Sequence, residues 1–154
     1  MSLLKKIFSV QMKASRLAYK TVSQKNTAAG RLKARYYGRK LAKEFGIYCA
    51  RLAKIGTGLT LPHPIGIVIG DGVRIGKNVT IYQNVTLGLK NRDDLIYPTV
   101  HDDVVIYAGA VIVGPVTVGA RSVIAANAVV TVDVPPDSVA AGVPAVILAR
   151  KKIS

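Results

Sequence analysis

The chain has 154 residues, a common size for one domain, and half of them are hydrophobic. Only 6% are aromatic and Trp is absent, so Val, Ile, Leu and Ala must fill the core, a composition that favours strand. The lone Cys49 excludes an intrachain disulfide, and no apolar run reaches the ~18 residues that span a bilayer or makes a signal peptide, so a cytoplasmic protein is expected.

The net charge of +14 is unevenly placed. Residues 1–54 carry fourteen Lys and Arg against Glu44 alone, a net +13, which leaves +1 for the remainder. Residues 1–45 form a basic helical segment: Leu3, Ile7, Val10, Ala14 and Leu17, then Leu32 with Tyr36 and Ala34 with Tyr37 and Leu41, fall at helical spacing and predict two helices. Such a segment offers either a solvated face or a peripheral contact with an anionic leaflet, worth ~1 kcal/mol per basic residue. Nucleic acid is set aside, because neither a groove-reading motif nor interleaved stacking aromatics is present.

Residues 46–134 follow a period of six. Ile69, Ile75, Ile81 and Leu87, then Val100, Ile106, Ile112, Val118, Ile124 and Val130, are all branched aliphatics. The fifth position of each repeat is again small or apolar: Val73, Val79, Val85, Val104, Ala110, Val116, Ser122 and Ala128. A helix needs a period of 3.6 and a hairpin a period of two, so neither fits. Six is the period of a parallel β-helix in which each hexapeptide supplies one short strand and one turn, three to a coil. Gly72, Asn78, Asn84 and Gly109 are expected at corners with positive φ, which also explains the two Asn-Val-Thr sequences without glycosylation.

Two steps depart from six. Leu61 to Ile69 is eight residues and carries Pro62-His63-Pro64. Leu87 to Val100 is thirteen, so residues 88–99 must leave the coil as a protruding loop. Irregularities on a regular scaffold are where function concentrates, and both are candidate site segments. Beyond the coil, Pro135-Pro136 is expected to break it, and residues 135–154 to form a turn at Gly142-Val143-Pro144-Ala145 and a basic tail.

Leu61-Pro-His-Pro-Ile-Gly-Ile-Val-Ile-Gly70, Gln83-Asn-Val-Thr-Leu-Gly88 and Ala141-Gly-Val-Pro-Ala145 together resemble the serine acetyltransferase branch of the hexapeptide acyltransferases, over about residues 45–150. The resemblance implies a mainly β protein, a left-handed parallel β-helix with N-terminal α-helices, assembled as a homotrimer with acetyl-CoA in the groove between neighbouring prisms. It makes His63 the general base. An ordinary imidazole titrates near ~6.5 and so accepts and returns a proton near neutrality. It places Gly88, Ala108 and Ala126 where backbone lies close to the pantetheine arm, and Arg150 and Lys151 where they meet the phosphates of CoA. No metal is expected, since two His and one Cys do not readily supply a zinc site.

The acceptor positions differ from the family pattern. Where serine acetyltransferases carry Asp, Asp, Arg and His, this chain has Pro62, Tyr48, Ile96 and Tyr97. An amino-acid acceptor needs partners for both of its charges, because leaving either unpaired in a closed site costs several kcal/mol. Tyr48, Tyr82 and Tyr97 are therefore read as acceptor contacts for an uncharged sugar hydroxyl, as in the similar O-acetyltransferases of bacterial capsule, exopolysaccharide or lipopolysaccharide synthesis. The alternatives are a serine O-acetyltransferase of cysteine biosynthesis and a non-catalytic β-helix with a lipid-binding basic arm.

Overall fold

The computed structural model describes residues 3–91 and 93–149. Two helices lead, α1 (Leu3–Val22) and α2 (Ala28–Phe45). Thr27 caps α2 by accepting a hydrogen bond from the Gly30 amide at 3.1 Å, and Gly46 ends it with φ 61°. Of the two apolar sets expected on α2, Ala34 and Leu41 are buried while Leu32 and Tyr36 point outward. Ala14, Leu17 and Ala18 of α1 join the same core as Leu41 and Leu61.

From Tyr48 the chain coils through three sheets. The first holds β1 (Tyr48–Cys49), β3 (Val68–Ile69), β6 (Thr86–Gly88), β9 (Val111–Val113) and β12 (Val129–Val130). The second holds β2 (Lys54–Ile55), β4 (Arg74–Ile75), β7 (Thr99–Val100) and β10 (Thr117–Val118). The third holds β5 (Thr80–Ile81), β8 (Val105–Ile106), β11 (Val123–Ile124), β13 (Ser138–Ala141) and β14 (Val146–Ala149). This is the mainly β, left-handed parallel β-helix with N-terminal α-helices that the repeat and the family resemblance together led us to expect. Every residue of the two periodic series is buried, including Ser122, whose hydroxyl donates to the Pro135 carbonyl at 2.7 Å.

The strand register confirms both irregular steps. Val68 pairs with Thr86, and Val111 with Val129, so a regular coil takes eighteen residues. Tyr48 pairs with Val68 across twenty, the two extra residues lying in the Pro62-His63-Pro64 coil. Thr86 pairs with Val111 across twenty-five, which accounts for the loop between Gly88 and Thr99.

Three expectations need correction. Pro135-Pro136 does not break the coil, because β13 still pairs in parallel with β11. The coil instead closes two residues short, with Val118 bridged to Val134. The prolines sit at a corner, where no ladder amide is needed. The tail after the Gly142–Ala145 turn is not free: Val146–Ala149 returns as β14, antiparallel to β13. Third, Asn78, Asn84 and Gly109 have φ of 55°, 58° and 72° as expected, but Gly72 is not among the positive-φ residues. Its smallness serves packing, for a Cβ there, as at Gly70, would collide with the Tyr97 ring.

Gly72→Ala should therefore lower the melting temperature, with an overpacking cost of about 1–3 kcal/mol. Combined with Tyr97→Ala, it should cost less than the two single changes added together; strict additivity in thermal melts would mean that the ring does not restrict Gly72.

Candidate active site

His63 is exposed on the corner between the third and first sheets, and does not face the interior. The two extra residues of its coil push it outward, and α1 holds that bulge through Gln11, whose side-chain amide donates to the Pro62 carbonyl at 2.9 Å. The imidazole lies against Tyr82, with ring centroids 6.0 Å apart and the planes tilted by 53°. Tyr82 stacks in turn on Tyr107, one coil further on, at 5.1 Å. Among the described residues no carboxylate or carbonyl accepts a hydrogen bond from the His63 ring, and its one ring contact is with Tyr82.

The same corner brings in two of the residues expected along the pantetheine arm. Backbone bonds run up it from Asn84 N–H to the Ile65 carbonyl, Gly109 N–H to Gln83 and Asn127 N–H to Ala108. Ala108 and Ala126 are therefore stacked on the edge that carries His63, and their methyl groups leave it uncluttered. Gln83, in the same column, keeps its buried Oε1 without a hydrogen-bond partner among the described residues. Gly88 lies at the far side of the first sheet. A Cβ there would meet nothing nearer than Thr86 Cγ2 at 3.9 Å, and its φ is not positive, so neither packing nor backbone within this chain requires glycine. Arg150 and Lys151 lie outside the described residues.

The tyrosines separate. Tyr82 adjoins His63, but Tyr97 is half-buried over Gly70 and Gly72 at the corner between the first and second sheets, anchoring the base of the loop. Tyr48 faces α2 and lines a different cleft. Within one chain, then, Tyr48 and Tyr97 do not join His63 around an acceptor. The residues that share a cleft with His63 were missed from the sequence. His63, Pro64 and Ile65 border an open cleft of about 590 Å³ whose other wall is Val10 and Lys13 of α1 with Glu44 and Phe45 of α2. Lys13 Nζ lies 2.9 Å from Glu44 Oε2, and Lys40 Nζ 3.9 Å from Oε1. Hydrogen bonding and charge from Lys13, with Lys40 behind it, hold the Glu44 carboxyl below its usual range. A cation and a carboxylate thus stand beside the exposed imidazole. Glu44 is the only acid of the first 54 residues, and that isolation is the one sequence signal that could have singled it out.

A coil of this kind, with a free imidazole on its edge, is the architecture of a hexapeptide-repeat transferase. Residues 97–131 match the bacterial transferase hexapeptide family (six repeats). The chain is similar to serine acetyltransferases. It is 41% identical over 117 residues to serine acetyltransferase from Buchnera aphidicola, an alignment covering 75% of this chain and 43% of that protein. A serine acetyltransferase solved in complex with CoA superposes with a TM-score of 0.78 at 38% identity, covering 88% of this chain and 56% of the other. The soybean enzyme complexed with serine gives 0.77 at 31% identity, again with 88% and 56% covered. The chain spans about half the length of the relatives it matches.

These similarities overturn the expected sugar acceptor and its place in polysaccharide synthesis, because the relatives are serine acetyltransferases. The coil positions where the family carries acceptor charges lack them here, and the cleft that His63 borders is lined by Lys13 and Glu44 from the helices.

Cys49 contributes no chemistry here. Burial pushes its thiol up to about 12, so at neutral pH it stays protonated and shielded. A disulfide thiol reagent should leave the native chain unmodified and react with one thiol once it is unfolded in guanidinium. Rapid modification of the native state would contradict the burial.

Proposed function

We propose that the chain is an acetyl-CoA-dependent O-acetyltransferase acting on L-serine. The observation that carries this reading is the cleft in which His63 stands beside the Lys13–Glu44 pair. A free α-amino acid carries a carboxylate and an ammonium next to its hydroxyl. Lys13 is the natural partner of the first and Glu44 of the second. Their side chains are 56% and 30% exposed, and ion pairs of that kind are weak enough to open for an incoming zwitterion. Similarity to a serine-bound and a CoA-bound serine acetyltransferase supports the same pair of substrates.

In this reading His63 takes the proton of the serine hydroxyl as its oxygen attacks the thioester carbonyl. The carbon–sulfur bond then breaks, and the proton passes to the departing thiolate, giving O-acetylserine and free CoA. Holding alcohol and thioester side by side supplies much of the rate, since an encounter of two molecules becomes a reaction within one complex. Ala108, Ala126 and the open space over Gly88 leave room for an extended pantetheine arm along the first sheet. A homotrimer completes the proposal, because one prism offers this edge without an opposing wall.

Thiol release from acetyl-CoA in the presence of L-serine tests the reading directly. His63→Ala should lower kcat by about 10²–10⁴-fold with an unchanged circular dichroism spectrum. Normal turnover in that variant would remove His63 from the mechanism, and failure of the wild-type chain to use serine would remove the acceptor. Glu44→Gln should raise KM for serine far more than it lowers kcat. An unchanged KM would show that Glu44 does not meet the ammonium group.

A further inference from the structure

The other face of the helical pair holds a second cleft, of about 410 Å³, between α2 and the first coil. It shares no lining residue with the cleft at His63. Arg31, Arg35 and Arg39 reach it from successive turns of α2, and Arg51 closes it from the coil just beyond β1. Its floor is apolar and shallow-sided, made of Ala34, Gly38 and the ring of Tyr48 among others.

Four guanidinium groups around one small cleft need an explanation. Like charges at i and i+4 destabilise a helix, and α2 repeats that spacing twice with the three arginines. No acid of this chain relieves them: among the described residues none of the four is in an ion pair. Glu44 is taken by Lys13 and Lys40, and the Asp71 carboxylate accepts the Leu52 amide at 3.0 Å. The small residues Ala34 and Gly38 keep the space between the arginines open where a larger side chain would fill it.

We infer that this cleft is a second binding site, separate from the acetyl-transfer site, for a ligand bearing two or more phosphate groups. The arginines stand about 6 Å apart along the helix, a spacing that a single carboxylate does not bridge and a chain of phosphates does. The planar forks suit bidentate contact with phosphate oxygens, which a lysine cluster would not provide. The Tyr48 face and the apolar floor accept whatever body carries the phosphates. The same chemistry is offered by a soluble diphosphate and by a phosphorylated lipid headgroup.

Calorimetric titration of the full chain with inorganic pyrophosphate, and co-sedimentation with phosphatidylcholine vesicles with and without phosphatidylinositol 4,5-bisphosphate, test the site and distinguish its two sources. Binding should weaken about tenfold for each guanidinium removed, so about a hundredfold in Arg35→Ala/Arg39→Ala. Lys25→Ala/Lys77→Ala removes the same charge elsewhere and should bind as wild type. Arginine-dependent binding of pyrophosphate supports a soluble ligand, and arginine-dependent capture by phosphatidylinositol 4,5-bisphosphate vesicles alone supports a membrane one. Equal loss in both double variants would reduce the binding to general attraction by a basic chain and overturn the site. So would binding of neither probe by the wild-type protein.

Discussion

One closure condition underlies the coil: each turn must return a buried residue beneath its counterpart, after eighteen residues in the regular turns and sixteen in the last. Ile69 below Leu87 and Ile112 below Val130 are its outcome, with strands stacked at ~4.8 Å and the interior sealed. Residues in excess of eighteen have nowhere to go except outward at a corner. The two surplus residues at Pro62-His63-Pro64 and the seven between Gly88 and Thr99 obey that rule, and they are the segments that meet solvent. A stiff interior with expandable corners allows an imidazole to be displayed without cost to the core.

That condition is also why so much of the fold was legible. Ten branched aliphatics in steps of six leave little freedom, and the steps of eight and thirteen translate directly into registers of twenty and twenty-five. Legibility ended where the period did. The coil of sixteen between Val118 and Val134 looked like a stop, because Pro135-Pro136 is a strong breaker in a ladder and harmless at a corner. Gly72 looked like a turn glycine, and only the position of the Tyr97 ring reveals what its missing side chain accommodates. Val146–Ala149 has no partner within the repeat pattern, so its pairing with β13 required the third dimension.

The site was half legible for a related reason. His63 announces itself by interrupting the period, whereas Ala108 and Ala126 came only with the family resemblance. The charges that face the imidazole come from α1 and α2, where periodicity shows which side is apolar but not which coil it covers. Lys13 and Glu44 are 31 residues apart in the sequence and 2.9 Å apart in space. Comparing the coil alone made the acceptor site look stripped of charge. The helices set one residue of each sign in the cleft at His63, and on their other face they gather Arg31, Arg35 and Arg39 round a cleft of a different character. The basic excess of the first 54 residues thus resolves into two local arrangements and a remainder of ordinary surface.

The ends of the coil carry a further consequence. A parallel β-helix is in principle an unlimited stack, and a bare terminal rung is a template on which another molecule's first rung can add. Here the first rung lies under α1 and α2, with Ile47 and Leu61 packed among their side chains. At the other end Gly142 and Ala145 take up the amide and carbonyl of Val129, and β14 lies along β13 in the reverse direction. A reversed strand cannot serve as the next rung of a parallel coil. Length is therefore fixed by two unlike lids, and losing either would turn a discrete prism into a seed for fibres.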